Sequence, residues 1–138
     1  MSMIVDRRNL DFVLYELLGI EETTLRHPKF AAYDRAAIGQ MLDTAQQIAE
    51  DRFLPIAAEV DADEPRFVNG RVEMPAGTAQ ALAAYAEAGF FALPFDEEIG
   101  GLQAPWSVNT AIGGIFTCAN TAVANYAFLT VAAANLLH

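Results

Sequence analysis

The sequence predicts an all-α fold, an up-and-down helical bundle with one short Asn-Gly β-hairpin excursion. Three observations lead there. Apolar residues recur at intervals of three and four through several segments, one Asn-Gly pair stands between β-branched and aromatic residues, and from Ile99 onward no Asp, Glu, Lys or Arg occurs. In 138 residues, 54% hydrophobic against 19% charged is the balance of one globular domain with its own core.

The first element is a helix over Arg7–Leu18. Leu10, Val13, Leu14, Leu17 and Leu18 share its inner face, Asp6 caps it, Val5 and Leu10 are spaced as a hydrophobic staple, and Gly19 stops it. The polar stretch from Glu21 to Lys29 reads as a connector, because His27 precedes Pro28 and is pushed out of the helical region. The next helix starts after Asp34, with Tyr33 packing on Ile38. Ile38, Met41, Leu42, Ala45, Ile48 and Ala49 face inward, while Asp43, Gln46, Gln47 and Glu50 face water. Pro55 ends or kinks it, and Glu59, Asp61, Asp63 and Glu64 read as a solvated acidic loop. A calcium loop would need a glycine at its turn and a distal bidentate Glu, and neither spacing is present, so no metal site is expected.

The hairpin is expected at Arg66–Val72 around Asn69-Gly70, the pair that suits a two-residue turn. A helix from about Pro75 to Ala88 follows, with Leu82, Tyr85 and Ala86 inward and Gly89 as its stop. Gly89–Pro94 is expected to run extended into the acidic turn Asp96–Gly101. After Pro105, Gly113-Gly114 and Asn120-Thr121 divide the uncharged end into two helices.

The formal net charge of -10 excludes a nucleic-acid partner, which needs clustered Lys and Arg. Cys118, the one cysteine, permits no internal disulfide and is expected to be a buried packing residue. No basic segment precedes an apolar one at the start, so a cytoplasmic location is expected. The uncharged end must be buried against protein or embedded in lipid. Asn109, Thr110, Thr117, Asn120, Thr121, Asn125, Thr130 and Asn135 interrupt it, groups costly in lipid but easily partnered between helices. No Lys or Arg flanks it either, and a buried helix pair is favoured over a membrane span. His27 and His138 receive no role.

The order of signals resembles the acyl-CoA dehydrogenase family: a long helix ending near Pro55, an acidic stretch, an Asn-Gly hairpin and a helix closed by Gly89. Gly89-Phe90-Phe91-Ala92-Leu93-Pro94 then leads to Glu98-Ile99-Gly100-Gly101. The opening Asn9–Leu18 looks like the extra N-terminal segment of a subfamily that includes 3-methylmercaptopropionyl-CoA dehydrogenase. Two positions depart from the family, where many members have a glycine near Gln103 and a Glu about where Gly114 stands.

This resemblance implies an N-terminal helical extension over residues 1–33 and, over 34–138, the family's N-terminal helical domain, ending before the β-domain. It further implies a parent enzyme that oxidises an acyl-CoA thioester between its α and β carbons, with FAD as cofactor, an electron-transfer acceptor as partner and a homo-oligomeric assembly. The glutamate base and the flavin site would lie in later domains, leaving this fragment inactive and without cofactor. In the family the last helix of this region lines the acyl chain's path, which makes Tyr126, Leu129 and Thr130 the candidate substrate-binding residues; that they merely pack in the bundle is the competing expectation. The rival function is a free-standing helical interaction module whose uncharged helices dock on a partner protein.

Overall fold

The computed structural model describes residues 2–137; Met1 and His138 lie outside the described residues. Among the described residues the fold is helical with one two-stranded antiparallel sheet.

The carboxylate of Asp6 accepts from the Arg8 and Asn9 amides and opens a helix at Arg7–Asp11, α1. Regular pitch does not reach Leu18. Phe12–Leu17 is a π-helical turn, in which the Leu18 amide donates to the Val13 carbonyl at 2.9 Å. This wider turn shifts the side-chain register, so Leu14 is buried while Leu17 and Leu18, expected inward, are exposed. Gly19, at φ 56°, then turns the chain and Ile20 returns to the core. The connector holds two single 3₁₀ turns, Thr24–Arg26 and Pro28–Phe30, with His27 extended between them.

At the next helix, Arg35–Ile48 (α2), the Asp34 carboxylate accepts from the Ala37 amide at 2.7 Å. Ile38, Leu42 and Ala45 are buried along one face, and Asp43 and Gln47 are exposed on the other. Pro55 kinks the chain without ending the helical path. A π-turn at Ala49–Phe53 and a 3₁₀ turn at Leu54–Ile56 carry it into a further short helix, Ala57–Ala62, α3. The expected acidic loop is therefore partly helix: Glu59 and Asp61 lie on its exposed side and Asp63 and Glu64 follow, all in water. Irregular turns on both sides of the proline absorb its missing N–H and ring bulk.

Strands Arg66–Val68 (β1) and Arg71–Glu73 (β2) pair antiparallel, Phe67 opposite Val72, with Asn69 and Gly70 between them at φ 51° and 78°. The following helix, α4, spans Thr78–Glu87 and starts later than Pro75 because Gly77 sits at φ 81°. Its buried face is Thr78, Ala81 and Tyr85, with Leu82 half-buried and Ala86 exposed, so the expected face is rotated. At its end the Gly89 amide donates to Ala86 and the Phe90 amide to Tyr85, while the Phe90 ring meets Tyr85 edge-on at 5.4 Å. That pairing of crossed hydrogen bonds with an apolar contact is a Schellman stop.

Gly89–Pro94 is not extended. Consecutive turns fold it, with Ala92 N donating to Gly89 and Phe95 N to Ala92. Residues 102–104 then lie back along it: the amides of Leu102, Gln103 and Ala104 donate to Ala92, Phe95 and Leu93 at 2.8–3.0 Å. Backbone crowding explains Gly101, where an added Cβ would stand 2.0 Å from the Phe95 carbonyl oxygen.

The last two helices are Trp106–Ala119 (α5) and Thr121–Leu137 (α6), broken at Asn120, while Gly113-Gly114 stays helical within α5. The core gathers at Phe53, Tyr85, Phe90 and Phe116, with Phe116 ring centroids 4.7 Å from Phe53, 4.8 Å from Tyr85 and 5.6 Å from Phe90. Leu14 and Ile20 of the N-terminal segment belong to the same core.

Candidate functional site

Helices α5 and α6 combine a buried side with an open one. Val108, Ile112, Ile115, Phe116 and Ala119 of α5 and Val123, Ala124, Ala127 and Val131 of α6 are buried. Asn120 holds the break: its Oδ1 caps the Val123 amide, and its Nδ2 donates to the Phe53 carbonyl across the bundle, both at 3.2 Å. The other polar residues of this stretch mostly do not bridge helices as expected. Thr110, Thr117, Thr121 and Thr130 each bond to the carbonyl four residues back in the chain. Asn125 and Asn135 are exposed. A short hydroxyl reaches its own backbone more easily than a neighbouring element.

Beside this pair lies a groove of about 420 Å³, walled by Trp106, Gly113, Phe116, Ala124, Phe128 and Val131, with Tyr85 at its base. The hydroxyls of Thr110 and Thr117, which also reach it, are already bonded within α5. No Asp, Glu, Lys, Arg or His lines it, so the groove can hold an apolar chain but supplies no carboxylate, imidazole or amine for proton transfer. Burial pushes the Tyr85 phenol up to about 12, which keeps it protonated across the physiological range.

A second groove, of about 540 Å³, runs between the N-terminal segment and α5. Thr110, Gly114 and Cys118 border both. Cys118, expected to be buried, is exposed on this shared ridge, because the inward face of α5 is taken by Ile115, Phe116 and Ala119. A Cβ on Gly114 would meet nothing within 4 Å, so a longer side chain at this position would extend into open space.

The predicted site residues occupy a different flank. Tyr126 is 40% exposed and lines a smaller recess with Val60, Met74 and Thr78, its hydroxyl 4.0 Å from the Met74 sulfur. Leu129 and Thr130 are exposed, and the Thr130 hydroxyl donates to the Tyr126 carbonyl at 2.7 Å. Trp106 and Phe128, not singled out from the sequence, instead border the groove. Their signal was bulk: two large aromatics in a region otherwise rich in Ala and Gly.

Among the described residues no group of three or more His, Cys, Asp or Glu could hold a metal ion, and no helix is long and apolar enough to cross a membrane. The groove does not suit a flavin dinucleotide by itself, since it offers no cation to a pyrophosphate.

The sequence profile of the acyl-CoA dehydrogenase N-terminal domain matches residues 37–137. The chain is also 30% identical over 122 residues to the broad-specificity linear acyl-CoA dehydrogenase FadE5 of Mycobacterium tuberculosis, an alignment covering 87% of this chain and 20% of that protein. It thus spans about a fifth of the length of that relative. With its helices, small antiparallel sheet and apolar α5–α6 groove, this chain belongs to the acyl-CoA dehydrogenase family, as an N-terminal domain.

Proposed function

We propose that this chain serves as the N-terminal domain of a flavin-dependent acyl-CoA dehydrogenase, with a straight-chain acyl-CoA thioester as substrate and an electron-transfer partner as acceptor. The observation that carries the proposal is the uncharged α5–α6 groove, lined by the small residues Gly113, Ala124 and Ala127 and bordered by Trp106 and Phe128. Its role is to wall and dehydrate one side of the acyl path. FAD and the base that removes the α-proton would be held by later domains, so residues 1–138 alone are proposed to be inactive. FAD supplies the hydride acceptance.

In this proposal α6 contributes two flanks, Ala124, Ala127 and Phe128 in the groove and Tyr126, Leu129 and Thr130 beside it. The extension over residues 1–33 braces the domain over 34–138. The outer side of α6, where Phe128 and Leu129 are 67% and 61% exposed, calls for cover by the parent's β-domain or a second subunit. That same apolar face is what favours the alternative function, a helical interaction module.

The test belongs in the full-length protein. Phe128→Ala, which opens the groove, should shift kcat/KM toward longer or bulkier thioesters by about tenfold per methylene newly accommodated; Tyr126→Ala tests the neighbouring flank separately, and a like shift there would bring that recess into the acyl path. An unchanged chain-length profile for Phe128→Ala, with only stability lost, would remove the groove as a wall of the acyl path, and an unchanged profile for Tyr126→Ala would remove Tyr126 from it.

A further inference from the structure

Three polar contacts run from one short N-terminal segment to one distant loop. The Gln103 side-chain amide donates to the Lys29 carbonyl at 2.8 Å, the Tyr33 hydroxyl donates to the Leu102 carbonyl, and the Lys29 ammonium meets the Asp96 carboxylate at 2.6 Å. The segment itself is locally stiff. His27 Nδ1 accepts from the Lys29 amide, Pro28–Phe30 forms a 3₁₀ turn, and the Tyr33 amide donates to Phe30.

The loop needs holding. Gln103 sits at φ 53°, in the left-handed region that a residue with a side chain occupies only at a cost. Glycine would adopt that angle freely. Leu102, Gln103 and Ala104 are also the residues whose amides return to the 92–95 turn, and Trp106 begins α5 two residues after Ala104.

We propose that residues 27–33 are a strap that locks the 96–104 loop with Gln103 in a left-handed conformation that glycine would adopt freely, and so sets Trp106 beside the α5–α6 groove. The three contacts do not contribute equally. The Lys29–Asp96 pair is partly exposed on both sides, and such pairs carry little. The neutral hydrogen bonds from Gln103 and Tyr33 are the working members, and together they offset the backbone cost. Burial, with Glu97 adding to it, raises the Tyr33 phenol, so its hydroxyl remains a donor at neutral pH. Tyr33 and Gln103 are positioning residues, and their action does not depend on what the groove binds.

Hydrogen exchange in the 138-residue chain tests this directly, with acrylamide quenching of Trp106, the one tryptophan, as a second readout. Tyr33→Phe keeps the ring and removes the bond. It should speed exchange of the 102–104 amides about three- to tenfold and raise Trp106 quenching, with exchange inside α2 unchanged. Gln103→Ala keeps the left-handed strain and loses the bond, and should give at least the same loop opening. Gln103→Gly loses the bond but also the strain, and should open the loop less than Gln103→Ala. The strap is overturned if Tyr33→Phe and Gln103→Ala leave 102–104 exchange and Trp106 quenching as they are, or if Gln103→Gly opens the loop as much as Gln103→Ala.

Discussion

Replacing Asn120 should destabilise the chain more than its single position suggests, because one amide does two jobs. Its Oδ1 caps α6 through the Val123 amide and its Nδ2 satisfies the Phe53 carbonyl, and the two partners together fix which end of the amide points where. The side chain is nearly inaccessible, at 5% exposure, so water does not replace a lost partner easily. Losing the cap costs about 1 kcal/mol, and stranding the Phe53 carbonyl about 1–3 kcal/mol. Asn120→Ala is therefore expected to cost about 2–4 kcal/mol. With an unfolding entropy near 2.1 cal/mol/K per residue, that lowers Tm by about 7–14 °C. Asn120→Ser keeps a capping oxygen without the reach to Phe53 and should fall between Ala and wild type. Asn120→Asp keeps the cap but faces the carbonyl with an anion at neutral pH, a defect relieved when acid protonates the carboxyl into a donor. Urea and thermal melts followed by circular dichroism at several pH values separate these terms. An alanine variant within about 0.5 kcal/mol of wild type, or an aspartate variant equal to wild type at pH 7, would refute this account of Asn120.

Two further predictions concern the core and its turns. Gly77→Ala combines a left-handed angle with a Cβ 2.8 Å from Ile56 Cγ2 and should cost about 2–4 kcal/mol, whereas Gly19→Ala, equally left-handed but in open space, should cost about 1 kcal/mol; equal melts for the two variants would show that Ile56 yields. Tyr85 has a folded pKa raised from about 10 to about 12, so its stabilisation is complete below pH 10 and is lost as pH rises from 10 toward 12, by about 2 kcal/mol after allowance for screening; Tyr85→Phe should flatten that alkaline limb, and an unchanged limb would place the loss elsewhere.

Local signals survived into the structure where a single turn of chain decides the outcome. Asp6 and Asp34 cap because a carboxylate two or three residues before free amides needs nothing else, and Gly89 stops α4 because its left-handed angle is its own property. Asn120 divides the uncharged end by the same local rule. Where an irregular turn or a neighbour outside the element decides, the sequence pattern misled. The π-turn at Phe12–Leu17 turns Leu17 and Leu18 outward, although a regular pitch would place them inward. Gly77 delays α4 past Pro75 under Ile56, and the 102–104 segment folds the apolar Gly89–Pro94 run into turns by taking its carbonyls. Ile56 stands 21 residues from Gly77, and the 102–104 amides reach carbonyls eight to eleven residues back, whereas the π-turn is a local departure from regular pitch.

The groove was the least legible part, and the reason is the composition of α6. An amphipathic helix announces its orientation because the polar face must meet water, as α2 does with Asp43 and Gln47. From Thr121 to Leu137 the helix carries no charge, and its polar residues are threonines and asparagines scattered around it. Spacing of four places Tyr126 beside Thr130 on one flank, and the Thr130 hydroxyl does reach the Tyr126 carbonyl, but spacing alone does not say which flank meets α5. That choice is made by packing. Ala124, Ala127 and Val131 turn inward, carrying Phe128 to the groove's edge and leaving Tyr126 over Met74. A helix without a polar face has its rotation set by the fit of small against large side chains, which exists only once both helices are in place.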